Sequence, residues 1–415
     1  MDRLARRLGL ADAVVIGLGS MLGAGVFVVF APAAAAAGGG GLLLAVAVAG
    51  FVAFCNATSS ARLAARYPES GGTYVYGRER LSPFAGFLAG WGFVVGKTAS
   101  CAAMALTIGA YAWPGRAREV AAAAVVAVTA VNVRGIGRTA LATRVLVTVT
   151  LTVLAVVAVT GAPHVAVDQL DGLARTGDRG VLTAAGLLFF AFAGYARIAT
   201  LGEEVREPER TIPRAVPLAL GIVLAIYLTL AVVALGVLGE QRLAAASAPL
   251  AEVVTAAGLP GLAWLVRAGA TVAVVGVLLS LLAGVGRTTL AMARRRDLPG
   301  ALAAVHPRYQ VPHRAELAVA AVVIVVVALG DVRGAIGFSS CTVLVYYAIA
   351  NASALTLGRE PGRKLPVQLL AALGLVGCVA LAVSLPVSST LAGFAVLALG
   401  TAGYALRHRL RPTTR

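Results

Sequence analysis

The residues with the most to offer chemically are ones with almost no side chains. Residues 17–27 read Gly-Leu-Gly-Ser-Met-Leu-Gly-Ala-Gly-Val-Phe, four glycines in eleven positions. They lie inside an apolar segment long enough to cross a bilayer. Glycine is the weakest ordinary helix former, because its bare backbone loses the most freedom on ordering. A spanning helix this weak at mid-depth is expected to unwind there. Unwound backbone is tolerated in hydrocarbon only where protein buries it or where it lines a watery cavity. The half-helix that starts at Gly23, Ala24 and Gly25 would present unpaired N–H groups and a partial positive charge, which suit a carboxylate. The half that ends with Ser20 and Met21 would present a carbonyl to an ammonium. Close packing of small residues between helices is the competing explanation of these glycines.

A second stretch answers the first. Residues 189–196, Phe-Phe-Ala-Phe-Ala-Gly-Tyr-Ala, interrupt a later span more mildly. Carbonyls near Phe190 to Ala193 would face the same gap, with Gly194 at the interruption. The rings of Phe190, Phe192 and Tyr195 either wall a pocket or serve helix packing and lipid contact. An amine and a carboxylate on one small carbon frame is the solute that such paired donors and acceptors would read.

Charged side chains inside the spans are few. Lys97 falls about 14 residues into the third span, and Arg197 follows the second interruption by three residues. An ionised Lys or Arg at mid-bilayer costs about 2.5–3.5 kcal/mol on insertion scales, so each needs a partner or a path to water. Lys97 is a candidate titrating group for proton coupling, or else a structural lysine on helix-end carbonyls. Arg197 either faces the cavity or snorkels toward the cytoplasmic vestibule. Glu203 and Glu204 end the sixth span among basic loops, as an ion-pair gate or as a solvated helix end.

These groups must be carried by membrane helices. The 415 residues are 59% hydrophobic and 13% charged, with mean hydropathy +0.89; soluble domains carry about 25% charged residues. The expected class is an all-α integral membrane protein. Twelve apolar runs approach the ~20 residues a spanning helix needs: 12–36, 42–62, 83–113, 119–133, 140–161, 180–202, 214–239, 262–294, 314–330, 334–357, 366–385 and 388–407. The fourth is the shortest. The net charge of +17 sits mainly in alternate loops, among them those with Arg62, Arg66, Arg78 and Arg80, and with Arg294, Arg295 and Arg296. That is the positive-inside pattern rather than a nucleic-acid surface, and it places both termini in the cytoplasm. Arg3, Arg6 and Arg7 precede a full-length span without a small-residue cleavage site, so no cleaved leader is expected. The four cysteines lie in apolar runs without a Cys-x-x-Cys pair, and His164, His306, His313 and His408 lie in loops or the tail. No metal site and no cofactor are expected, and no cluster of acids, histidines or nucleophiles suggests an enzyme. Weak first and sixth spans, five apart, are the mark of inverted repeats in secondary transporters. The expected division is a ten-helix core over 1–358, with repeats at 12–161 and 180–358. Two additional helices and the tail would follow over 359–415.

The residues also carry a family resemblance. Gly-Ser-Met-Leu-Gly-Ala-Gly-Val-Phe (19–27), Ala-Arg-Tyr-Pro-Glu-Ser-Gly-Gly-Thr-Tyr (65–74) and Gly194-Tyr195 belong to it. So do Gly202-Glu203-Glu204, the prolines from Pro208 to Pro213, and Gly286-Arg287-Thr288 through His306-Pro307-Arg308-Tyr309. Together they resemble the amino acid–polyamine–organocation (APC) superfamily of permeases, in its cationic-amino-acid-transporter-like branch. The resemblance implies a LeuT-type fold and amino acid transport by alternating access in the cytoplasmic membrane. It implies that Ala24 and Gly25 hold the substrate carboxylate, that carbonyls of Met21, Phe190 and Ala193 hold the amine, and that Phe190 is the gating aromatic. The chain departs from its relatives twice. Its fifth span has no lysine, so Lys97 is a substitute candidate for coupling rather than a match. Ala196 and Arg197 follow Gly194-Tyr195 where carriers of cationic substrates often place an acid. That favours neutral amino acids by proton symport, with exchange, cationic amino acids and polyamines as the alternatives.

Overall fold

The computed structural model describes residues 8–67, 71–135, 140–170, 177–199, 205–357 and 365–409. Among these the regular elements are all helical, and the one β-type pairing is a parallel bridge between Leu8 and Val205. The first span is split into α1 (Leu10–Met21), α2 (Ala24–Val28) and α3 (Phe30–Ala37). Then come α4 (Gly41–Arg66), the short α5 (Thr73–Arg80), α6 (Pro83–Ala112), α7 (Ala117–Val133) and α8 (Ala140–Gly161). The sixth span comprises α9 (Asp178–Phe192), a 3₁₀ turn over Ala193–Tyr195 and α10 (Ala196–Ala199). It is followed by α11 (Pro208–Ala245), the short α12 (Pro249–Ala256), α13 (Ala263–Arg294), α14 (His313–Leu329), α15 (Val332–Thr356), α16 (Leu365–Ser384) and α17 (Val387–Arg409).

Each of the twelve apolar runs contains a helix, but ten helical runs among the described residues are long and apolar enough to cross a membrane. The other two, α7 and α14, have 17 residues each. At 1.5 Å per residue they reach about 25 Å, short of the ~30 Å hydrocarbon core. Local signals explain several ends. Ser82 accepts from the Ala85 N–H at 3.1 Å ahead of Pro83 in the first turn of α6, and Asp331 accepts from the Gly334 N–H at 2.9 Å at the start of α15. Both are side-chain caps on otherwise orphaned helix N–H groups. Inside α11, Gly239 takes φ +71°, which interrupts the helix where the seventh apolar run ends.

The centre of the molecule is α6, which packs mainly on α15 and α13. Gly92, Gly96 and Ser100, spaced by one turn, form its seam with α15, and the Ser100 and Ser339 hydroxyls share a hydrogen bond of 2.6 Å. All four cysteines are buried and unpaired by disulfides. By contrast α16 and α17 leave Leu369, Val376, Leu391 and Leu399 exposed, as an outward lipid-facing layer would.

Candidate functional site at the interrupted helices

The first span is broken where its glycines are densest. Helix α1 stops at Met21, Leu22 takes φ −81°, ψ 57°, and Gly23 takes φ −116°, ψ −142° before α2 begins. The Gly23 N–H turns back to the Met21 carbonyl at 2.9 Å, so that amide is already engaged. The N–H groups of Ala24, Gly25 and Val26 then begin α2, and first-turn amides have no intrahelical acceptor. The sixth span is altered more gently. Phe192 and Ala196 flank a 3₁₀ turn with right-handed helical angles, and Ala193 sits at φ −64°, ψ 2°. It tightens the helix rather than unwinding it.

The two interruptions meet. A Cβ on Gly25 would lie 2.5 Å from the Ala191 Cα, and a Cβ on Gly194 would lie 2.5 Å from the Ser20 carbonyl carbon and 2.8 Å from the Met21 nitrogen. Each helix thus presents a glycine to the backbone of the other, reciprocally. The remaining glycines of the motif are also pressed against neighbours. Gly17 meets Ile198 and Ala219, Gly19 meets Val147, and Gly23 meets Val277. Broken backbone and close packing were alternatives in the sequence, and here the same residues do both.

Three tyrosines on three other helices serve the exposed carbonyls. Tyr227 of α11 donates to the Met21 carbonyl at 2.7 Å and to the Ala191 carbonyl at 3.0 Å. Tyr111 of α6 donates to Phe27 at 2.7 Å, and Tyr347 of α15 donates to Ala193 at 3.2 Å. The sequence reading passed over all three. Their signal was available: a tyrosine deep in an apolar span must find a partner for its hydroxyl. Their rings pack on the aromatics of the sixth span, with Phe192 edge-on to Tyr227 at 4.9 Å, and Phe189 and Tyr195 against Tyr347 at 5.6 and 5.0 Å. Phe190 keeps 8% exposure where Phe189 and Phe192 keep none, which singles it out as the ring with free space beside it. Next to the break, Gly19, Leu22, Thr143, Thr150 and Val277 enclose a cavity of about 10 Å³, close to the smallest that holds one water.

Lys97 is buried at the middle of α6, one turn before Cys101. Arg197 in α10 is exposed, next to Ile198, which packs on Gly17. Glu203 and Glu204 lie outside the described residues. A different group of charges ties α5 to the segment that follows α13. Asp297, which follows α13, accepts from Tyr74 at 2.6 Å and from Arg78 at 3.0 Å, both on α5. Arg78 and Arg295 also stack over the Tyr74 ring, at 5.6 and 5.5 Å from its centroid. Burial, reinforced by the Asp297 carboxylate, raises the Tyr74 hydroxyl above its ordinary titration range, so it stays a donor. At the base of the first span, Arg144 pairs with Asp12 at 2.6 Å, and the Arg206 N–H donates to Leu8 at 2.9 Å beside the Leu8–Val205 bridge.

This architecture and its comparisons define the class. The chain belongs to the amino acid permease family, whose profile matches residues 12–401. An uncharacterised transporter of Mycobacterium tuberculosis is 64% identical over 408 residues, covering 98% of this chain and 92% of the relative. Two Bacillus subtilis proteins, a methylthioribose transporter and a branched-chain amino acid permease, are each 25% identical over 333 and 334 residues, covering 75% of this chain and 72% of each relative. The protein is therefore a multi-pass membrane permease of amino acid type.

Proposed function

We propose that the chain is a secondary carrier of neutral L-amino acids that couples uptake to protons by alternating access in the cytoplasmic membrane, with both termini cytoplasmic. In this reading α7 and α14 also cross the bilayer, which gives twelve spans in a LeuT-type arrangement of two inverted five-span repeats plus α16 and α17. The observation that carries the proposal is the break at Leu22–Gly23, packed reciprocally against the 3₁₀ turn of the sixth span. The substrate carboxylate would sit on the amides of Ala24 and Gly25. The amine would take the second lone pair of the Ala193 carbonyl, whose first is used by Tyr347, and at the Met21 carbonyl it would displace one of the two donors already there, Tyr227 and the Gly23 N–H. Phe190 would close over the solute, and Lys97 would carry the coupled proton.

A neutral substrate is supported by the lack of any Asp or Glu in the sequence of residues 13–36 and 180–202, which hold the two interruptions, and by the branched-chain permease among the relatives. The deciding experiment is uptake into proteoliposomes of a panel of labelled neutral, cationic and acidic amino acids, polyamines and methylthioribose, with and without a pH gradient. Gradient-driven uptake of neutral amino acids is expected. Uptake confined to another class, or independent of the gradient, refutes the corresponding part of the proposal.

A further inference from the structure

Where α1 and α11 begin, Leu10, Glu207, Arg210, Thr211 and Arg214 line an open cavity of about 180 Å³, away from the two interruptions. Leu10 opens α1 and is 39% exposed. Glu207 precedes α11 at φ +44°, and the other three residues lie in its first two turns. The polar groups divide by role. Arg210 donates to Glu207 at 3.2 Å as an exposed pair, and such pairs hold one another only weakly. No ion pair among the described residues reaches Arg214. The Thr211 hydroxyl spends its proton on the Arg206 carbonyl at 2.7 Å, which leaves its oxygen as an acceptor. Glu207 also keeps acceptor capacity, since a carboxylate has about four lone-pair sites.

The lining therefore sets two guanidinium groups against one carboxylate, with acceptors left over beside them. A singly charged phosphodiester that carries hydroxyl groups matches that set. The guanidinium forks suit its phosphate oxygens, and Glu207 and Thr211 suit its hydroxyls. The helix beyond the cavity indicates what the phosphodiester is attached to. Arg210, Arg214, Leu218, Gly221 and Ala225 are all exposed, and they fall within about 80° of one another around α11. On this one stripe the two cations give way to apolar surface. Leu218 is 50% exposed, and a Cβ on Gly221 would have nothing within 4 Å, which leaves a shallow notch. From Arg214 to Ala225 the helix rises about 16 Å, close to one leaflet of the ~30 Å hydrocarbon core.

We propose that this cavity binds the hydroxyl-bearing headgroup of an anionic phospholipid, of the phosphatidylglycerol kind, whose acyl chains lie along the exposed stripe of α11. Basic pockets between membrane helices attract anionic headgroups for the same electrostatic reason. A choline headgroup would bring its own cation toward the two arginines, so the site selects against phosphatidylcholine. Its position gives the lipid something to brace. Leu10 lies two residues after Leu8, and Glu207 two residues after Val205, and those two residues form the parallel bridge. The headgroup thus sits where the first span is joined to the segment that follows the sixth. Membrane embedding is all that the site requires, whichever solute is carried.

The test is a lipid titration of the purified full chain in a neutral detergent, read as the shift in Tm. Phosphatidylglycerol, phosphatidylcholine and inorganic phosphate are the three probes. Phosphatidylglycerol is expected to raise Tm to a plateau, and the other two to raise it little. Arg210→Gln and Arg214→Gln should each increase the phosphatidylglycerol concentration at half-effect about fivefold. Both side chains are exposed, so these variants keep the fold. Arg308→Gln, exposed on a different segment, should respond like the parent. A full phosphatidylglycerol response in the Arg210→Gln/Arg214→Gln double variant overturns the proposal. So does an equal weakening by Arg308→Gln, which would reduce the effect to general attraction by a chain of net charge +17. An equal rise with inorganic phosphate or with phosphatidylcholine would also overturn it, since the site would then not select an anionic lipid.

Discussion

Gly194→Ala places one methyl group where the two interrupted spans touch. The added Cβ would sit 2.5 Å from the Ser20 carbonyl carbon and 2.8 Å from the Met21 nitrogen, whereas ordinary contact begins at 3.4 Å. Both obstacles are backbone, so no side chain can swing aside. Relief requires the spans to part by about 1 Å. Overpacking of this kind costs about 1–3 kcal/mol, a factor of about 5 to 150 in any equilibrium that needs the contact closed. The same displacement strains the Tyr227 bridge, which joins Met21 and Ala191 at 2.7 and 3.0 Å. The assay is initial uptake into proteoliposomes at matched protein density, with Gly221→Ala and Gly284→Ala as controls, because a Cβ at either has nothing within 4 Å. The controls are expected to transport like the parent and Gly194→Ala about tenfold or more below it. Uptake by Gly194→Ala at the level of the controls would refute the claim that transport runs through this contact.

Three further perturbations probe other parts of the same machine. Tyr227→Phe removes the donor shared by the Met21 and Ala191 carbonyls; Met21 keeps the Gly23 N–H, and a carbonyl left without a partner costs about 1–3 kcal/mol, so thermal unfolding in detergent should show a lowered Tm, and an unchanged one would mean that other donors replace the hydroxyl. Lys97→Ala should abolish the stimulation of uptake by a pH gradient while leaving substrate binding measurable by calorimetry, and persistent stimulation would remove Lys97 from coupling. Asp297→Asn keeps the shape but discharges the acceptor shared by Tyr74 and Arg78. Accessibility of cysteines introduced on α5 should rise, and protection equal to the parent's would show that the loop contact is held by other groups.

How much of this was legible in the sequence depended on the kind of signal. Span positions follow from apolar run length, and helices such as α6, α13 and α15 begin and end within two residues of the expected limits. The break in the first span was legible because four glycines in eleven positions leave a helix little to stand on. The sixth-span interruption was foreseen in place but not in kind. With one glycine and three aromatic rings packed around it, that backbone keeps helical angles and only tightens. The tyrosine donors were missed because their partners lie 84, 206 and 154 residues away, a distance no local pattern reveals. The bond between Asp297 and α5 was hidden in the same way, and attention went instead to Glu203 and Glu204 on charge and position alone. Helices α5 and α12 were not foreseen, since each is only 8 residues long and lies between spans.

The Leu8–Val205 pairing changes how many parts the carrier has. A peptide hydrogen bond from Arg206 to Leu8 splints the approach to the first span onto the segment that follows the sixth. In the proposed alternating-access cycle, the ends of both interrupted spans on that side are thereby yoked and swing as one lever. Two spectroscopic rulers fixed at positions 8 and 205 would then keep a constant spacing through every stage of that proposed cycle. A bulky fusion on the amino-terminal side would load both arms of that lever at once.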